Sequence, residues 1–230
     1  MSFPPIPKIP DTVLPSPLPI KECGEPMISL SSLSAQISVY PVYYHEGYAG
    51  AQPEAFLREG AAHRLAMAAA QLPEGYKLVV LDGWRSFEVQ ASLYERFREA
   101  LFLQGWQEGP ALTEELSKFV ALPTTDLSKP SPHLSGGAID LTIAGPDGWL
   151  EMGTDFDDFS ELASTRHYEE LAQPAPKDIE IRDNRRLLYH LMTAAGFVNY
   201  PKEWWHFEYG TRTWAKNTQQ EPIYGGVMSM

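Results

Sequence analysis

The sequence predicts a single α+β domain, a small, mainly antiparallel sheet flanked by helices. Three observations predict it. Amphipathic helical stretches and short β-branched or aromatic runs both occur, but without the regular alternation that builds a doubly wound sheet. Hydrophobic residues make up 43% of the 230 and aromatics 12%, enough for one substantial core. Prolines break the first 26 residues at positions 4, 5, 7, 10, 15, 17 and 19. That stretch reads as an extended arm, packed over the surface or mobile, and leaves residues 27–230 as the folded domain.

The elements follow in order. From Pro53 a core-facing helix is predicted: Phe56, Leu57, Ala61, Leu65, Ala68 and Leu72 recur at three- and four-residue steps, and Pro73-Glu74-Gly75 ends it. Tyr76 to Leu81 is a short apolar run with a β-branched centre, read as a buried strand that delivers Asp82-Gly83-Trp84-Arg85 to its C-terminal end. Ser86 is placed to cap a second amphipathic helix through Phe87, Val89, Leu93, Phe97 and Leu101, ending near Gly105. Thr113-Glu114-Glu115 opens a third helix through Leu122, with acids in its first turn. Residues 123–137 form a loop by composition, followed by a strand from Ala138 to Ile143. An acidic loop around Met152 to Asp158 precedes a helix from Ile181 to Ala195 that Gly196 stops. Phe197 to Tyr200 and Trp204 to Tyr209 are aromatic and strand-like.

Charge and cysteine content exclude several chemistries. Eighteen Lys and Arg against thirty Asp and Glu give a net charge of −12, which repels phosphate backbones and argues against nucleic acid as a partner. Cys23 is the only cysteine, so four-Cys zinc sites, iron–sulfur clusters and intrachain disulfides are excluded. Any metal must sit on His, Asp and Glu. The Pro-broken N-terminus has no apolar stretch of a secretory signal, and no run of about 18 apolar residues is long enough to span a bilayer. The expected location is therefore cytoplasmic.

Of the six histidines, His63 and His190 fall inside predicted helices without a second ligand at metal spacing, and His45 and His167 sit in polar or aromatic surroundings. His133 differs. It lies in a Gly-containing loop, seven positions before Asp140, which is set in a strand between Ile139 and Leu141. A carboxylate near a buried surface is paired or metal-bound rather than left alone. Alone, the segment fits a buried salt bridge or a turn cap equally well. The second cluster is Pro201-Lys202-Glu203-Trp204-Trp205-His206-Phe207-Glu208-Tyr209. Aromatic walls make a dry setting that raises a carboxylate pKa toward general-base range, and neutral imidazole is a good zinc ligand. Residues three apart in a regular strand face opposite sides, so either the chain bends near Pro201 or Glu203 is structural. Together the clusters offer His, Asp and His plus a water, the open arrangement of hydrolytic zinc, with a Glu nearby as base.

With these residues the sequence resembles the D-alanyl-D-alanine dipeptidases of the VanX type, within the wider zinc family of bacterial D,D-carboxypeptidases and hedgehog signalling domains. The resemblance covers roughly Tyr76 to Tyr209. It implies one Zn2+ per chain on His133, Asp140 and His206, with Glu203 as general base. Asp82-Gly83-Trp84-Arg85-Ser86 matches the family's arginine segment, with Trp84 and Ser86 departing from the usual residues; Arg85 is then the oxyanion stabiliser. Met152 to Asp157 is similar to the family's M-G-[ST]-x-F-D segment, which assigns Asp157 to the substrate's ammonium group, and Ser131 is placed to hydrogen-bond substrate. Val39 to Tyr48 holds tyrosines of the kind such enzymes set near the pocket but departs from the family's pattern, so no single tyrosine is assigned. The implied partner is a small dipeptide, and the implied reaction is hydrolysis of D-Ala-D-Ala. Alternatives are a related zinc D,D-carboxypeptidase or cell-wall peptidase acting on longer muropeptides, and a zinc-binding module without activity. The oligomeric state is not readable from the sequence.

Overall fold

The computed structural model describes residues 3–8, 19–117, 120–158 and 160–229. Residues 9–18 of the predicted arm, and Lys118 and Phe119 of the predicted third helix, lie outside the described residues. In chain order the elements are β1 (Met27–Ser29), β2 (Ile37–Val39), α1 (Val42–His45), β3 (Phe56–Arg58), α2 (Glu59–Ala69), β4 (Lys77–Asp82), α3 (Phe87–Leu103) and α4 (Pro110–Ser117). There follow β5 (Ala138–Gly145), β6 (Gly148–Trp149), α5 (Pro176–Ala194), β7 (Val198–Asn199), β8 (His206–Glu208) and α6 (Arg212–Thr218).

The main sheet runs β2-β4-β5-β8-β7, with β6 folded back on β5. Only β2 and β4 are parallel; the other pairs are antiparallel. Along β5, alternate side chains face opposite sides. Ile139, Leu141 and Ile143 join the core with Leu65 and Ala68 of α2, Leu188 and Met192 of α5, and Phe207 of β8. Asp140 and Thr142 take the other face and are still only 2% exposed. The register sets Asp140 opposite both Asp82 and His206, with a bulge between Val80 and Asp82 that turns the end of β4. The site is therefore built on the central strand.

Several predicted elements shift. Phe56–Arg58 is a strand paired with Met27–Ser29, not the first turn of a helix, and α2 starts only at Glu59. The Phe56-Leu57 spacing suits either state, and pairing with a distant segment decides it. The third helix begins at Pro110 rather than Thr113, because a first-turn proline lacks only an N–H that would be unpaired anyway. The helix predicted from Ile181 begins at Pro176, where the Asp178 carboxylate accepts the Ala175 amide at 2.8 Å. The 123–137 loop contains a 3-10 turn at His133–Ser135. Of the two aromatic strands only Val198–Asn199 and His206–Glu208 pair; Trp204 and Trp205 lie in a turn. Ser86 does cap α3, accepting the Val89 amide at 3.3 Å, and Gly196 at φ 94 ends α5.

Residues 3–8 of the arm pack on α5 and the turn before it, whereas residues 19–26 bond the C-terminal segment, the Lys21 and Cys23 amides donating to Pro222 O and Ile223 O. Ile6 is 2% exposed and its amide donates to Glu169 Oε1, while Phe3 stacks on His190. Among the described residues no helix is long and apolar enough to cross a membrane.

Candidate metal centre

His133, Asp140 and His206 are buried, and one ligand atom from each lies within 4.8 Å of the others. His133 reaches the site from the 3-10 turn, which Gly136 closes at φ 70, a left-handed conformation that glycine adopts without a steric penalty. Its Nδ1 donates to Gly83 O at 2.7 Å, which fixes the tautomer and leaves the Nε2 lone pair facing inward. On His206 the arrangement is reversed: Nε2 faces Glu208 Oε1 at 3.2 Å, and Nδ1 points at Asp140. Donation from Nε2 to the carboxylate leaves Nδ1 as the ligand atom.

The separations test whether a metal fits. His133 Nε2 lies 3.3 Å from His206 Nδ1 and 3.3 Å from Asp140 Oδ2, and His206 Nδ1 lies 2.9 Å from Asp140 Oδ1. A tetrahedral ion with bonds of ~2.0–2.1 Å sets its ligands about 3.3 Å apart. Two ring lone pairs and a carboxylate converging at this spacing attract positive charge. Burial opposes ionisation of Asp140, but His133 and His206 hold its carboxyl well below the usual range. Burial likewise disfavours a charged His206, and the hydrogen bonds it donates to Asp140 and Glu208 outweigh it, raising its pKa well above the ordinary value. A proton or a metal cation meets the same need.

Glu203 faces the same cavity because the chain there is not a strand. Its amide bonds Tyr200 O, and the His206 amide bonds Glu203 O, so residues 200–206 form a turn that carries both side chains to one side. Asn199 holds this turn by donating to Glu203 O and His206 O, each at 3.0 Å. Glu203 Oε2 lies 3.8 Å from His206 Nδ1. Burial, with Asp140 and Asp157 adding to it, pushes the Glu203 carboxyl up to about 8.

Arg85 is fixed by Asp82 at 2.8 Å, Gln90 at 3.0 Å, Tyr43 at 3.2 Å and Asp140 at 3.4 Å. Asp157 adopts φ 59, uncommon for a residue other than glycine, and accepts the Tyr43 hydroxyl at 2.8 Å. Burial, reinforced by Asp140, raises its carboxyl to about 7 although Arg85 opposes this. Ser131 is 8% exposed and its Oγ accepts the Leu134 amide at 3.4 Å. All seven predicted site residues line one cavity of about 240 Å3.

The sequence profile of the D-ala-D-ala dipeptidase family, peptidase M15, matches residues 49–222. The chain belongs to this family. A D-alanyl-D-alanine dipeptidase of Synechocystis sp. is 31% identical over 218 residues, 86% of this chain and 87% of that protein. Another, from Escherichia coli, is 35% identical over 140 residues, 60% of this chain and 58% of that protein. Among solved structures, a mutant of the vancomycin-resistance D,D-pentapeptidase VanY in complex with Zn(II) has a TM-score of 0.43 at 17% identity, covering 74% of this chain and 83% of that one.

This member of the dipeptidase family also carries site residues that sequence reasoning missed. Tyr43 sits between Arg85 and Asp157, Gln90 braces Arg85 and donates to Ala121 O, and Glu208 backs His206. Glu208 carries a readable signal, since it is the next same-face residue after His206 in a strand. Gln90 has none, because a polar residue one turn into α3 reads as surface.

Proposed function

We propose that this member of the dipeptidase family is a zinc-dependent D-alanyl-D-alanine dipeptidase holding one ion per chain on His133, Asp140 and His206. The observation that carries the reading is the convergence of these three ligand atoms beside a buried carboxylate, Glu203, in one cavity. A zinc ion bound there supplies Lewis acidity, polarising a peptide carbonyl and lowering the pKa of water toward neutrality. Glu203 takes the proton of the attacking water. A carboxyl poised near neutral pH then returns it to the leaving amine. Arg85, permanently charged and fixed by its partners, donates to the carbonyl oxygen as it becomes negative. Asp157 binds the substrate ammonium, and Ser131 hydrogen-bonds the dipeptide beside His133. The cavity of about 240 Å3 is smaller than the roughly 300–1,000 Å3 of drug-sized sites, which suits a dipeptide.

The test measures bound zinc and hydrolysis of D-Ala-D-Ala, L-Ala-L-Ala and a tripeptide ending in D-Ala-D-Ala, with Glu203→Ala as control. The expected result is one zinc per chain, turnover of D-Ala-D-Ala alone, and a loss of about 10²–10⁴-fold in the variant. Equal activity in Glu203→Ala overturns the base assignment. Cleavage of the tripeptide makes the enzyme a D,D-carboxypeptidase, and zinc without turnover makes it a binding module.

A further inference from the structure

A buried cation that touches no acid among the described residues stands behind the site. Arg185, on the inward face of α5, is 2% exposed. Its Nε donates to Met152 O, Nη1 to Ser164 O and Nη2 to Leu162 O, each at 2.8 Å. The rings of Tyr168 and Trp204 lie 4.8 and 5.9 Å from the guanidinium carbon. Among the described residues its contacts are these carbonyls and rings, and Asp158 acts on it only at longer range. Burial pulls its pKa down to about 10, so it stays charged at neutral pH.

Burying a charge without an acid is costly, and an apolar side chain would fill the same volume without that cost. What only the guanidinium supplies is a rigid planar fork that fixes three carbonyl directions at once. Those carbonyls belong to the two feet of one excursion of the chain, Met152 on the outgoing side and Leu162 with Ser164 on the return. The tip between them carries Asp157 in its left-handed conformation. Beyond the feet, the tip is tied by the Trp204 indole to Thr154 at 2.8 Å and by Tyr43 to Asp157. The Glu203 turn is held by Asn199 and also by the return foot, where Ala163 O accepts the Trp204 amide at 3.1 Å and the Thr165 amide and hydroxyl donate to Pro201 O and Glu203 O.

We infer that Arg185 is a positioning residue for recognition of the substrate ammonium: it clamps the feet of the 152–164 segment so that Asp157 is held in the cavity. This rests on the reading of Asp157 given above. The return foot also adjoins the Glu203 turn, so the mark of the clamp on Asp157 is the preference for a free amine over a blocked one rather than the overall rate.

The experiment compares wild type, Arg185→Lys and Arg185→Met by hydrogen–deuterium exchange of residues 153–161, by zinc content, and by kcat and KM for D-Ala-D-Ala and its N-acetyl derivative. Lysine keeps the charge but not the fork. The expected result for Arg185→Lys is faster exchange in 153–161, unchanged zinc, and a kcat/KM for D-Ala-D-Ala that falls about tenfold further than that for the N-acetyl derivative. The preference for the free amine over the N-acetyl substrate shrinks by the same factor. Unchanged exchange in 153–161, or equal losses on both substrates, overturns the inference. If Arg185→Met does not fold, Arg185→Lys decides. A wild type without preference for the free amine overturns the Asp157 reading instead, and the exchange result then decides the clamp alone.

Discussion

The Tyr43 hydroxyl donates to Asp157 Oδ2 at 2.8 Å, and the same hydroxyl receives Arg85 Nη2 at 3.2 Å. One phenol thus joins the group assigned to the substrate ammonium with the group assigned to the developing oxyanion. Its ring lies 4.8 Å from the guanidinium carbon, so the pair is stacked as well as hydrogen-bonded. Burial holds the phenol well above its ordinary pKa, which keeps it a donor.

Tyr43→Phe removes the hydroxyl and keeps the ring. A buried acceptor left without its donor costs about 1–3 kcal/mol, roughly 5- to 150-fold in an equilibrium. The expected outcome is a fall of that order in kcat/KM for D-Ala-D-Ala, carried by KM, with zinc content unchanged. Steady-state kinetics on the two proteins checks it, and an unchanged KM would sink the bridging role.

The pH dependence follows from Asp157. Its carboxyl is raised from 3.8 to about 7, chiefly by burial, and only the ionised form pairs with an ammonium. The expected kcat/KM for the free-amine dipeptide rises with pH through about 7 to 8, as Asp157 and then the base Glu203 ionise. Stability moves the other way. Between 3.8 and about 7 the folded state binds this proton more tightly than the unfolded state, so the contribution of Asp157 is lost as pH rises across that window. Asp157→Asn lacks this loss, so its melting temperature gains on wild type between pH 5 and pH 8 by the part of the effect that falls between pH 5 and about 7. Parallel melting curves for the two proteins would contradict the assignment.

What was legible in the sequence is what local pattern encodes. Ile139, Leu141 and Ile143 alternate with Asp140 and Thr142, and that period alone places a carboxylate on the face away from the main core. Ser86 and Gly196 announce their helix ends by residue type. The strand Phe56–Arg58 was illegible because its partner, Met27–Ser29, is distant in sequence and apolar spacing there fits a helix equally well. The spacing of Glu203 and His206 contradicted a continuous strand, and the contradiction was the useful signal: the turn at 200–206 resolves it. Tyr43 stayed hidden among its neighbours because nothing local separates the buried tyrosine from Tyr44, which is 47% exposed.

Glu208 tests the support behind the candidate metal site. Its Oε1 lies 3.2 Å from His206 Nε2, and its other oxygen takes the Thr211 hydroxyl. A carboxylate behind a ligating imidazole fixes the tautomer and raises ligand basicity, and removing such a partner weakens metal binding about 10–100-fold. Glu208→Gln keeps the size and an acceptor, so folding is expected to persist while zinc affinity falls by that factor. Competition with a chelating dye measures it, and an unchanged affinity would leave Glu208 with a packing role only.

Removal of the metal is expected to cost stability because the site concentrates electron pairs without a cation to hold them. His133 Nε2 and His206 Nδ1 face each other at 3.3 Å, with Asp140 against both. An ion that binds only the folded chain stabilises it by about 4 kcal/mol at a thousandfold excess over its Kd. At roughly 2–4 °C per kcal/mol for a domain of this size, dialysis against chelator lowers the melting temperature by about 8–16 °C. Zinc restores it. Magnesium, which demands oxygen ligands in an octahedron, does not, because two of the three donors are imidazole nitrogens. His133→Ala abolishes the zinc-dependent part of the shift, and its metal-free melting temperature lies below that of the chelated wild type because the buried Gly83 carbonyl loses its donor. Calorimetry on these samples decides the matter: equal rescue by magnesium, or a zinc effect that survives in His133→Ala, would place the ion elsewhere.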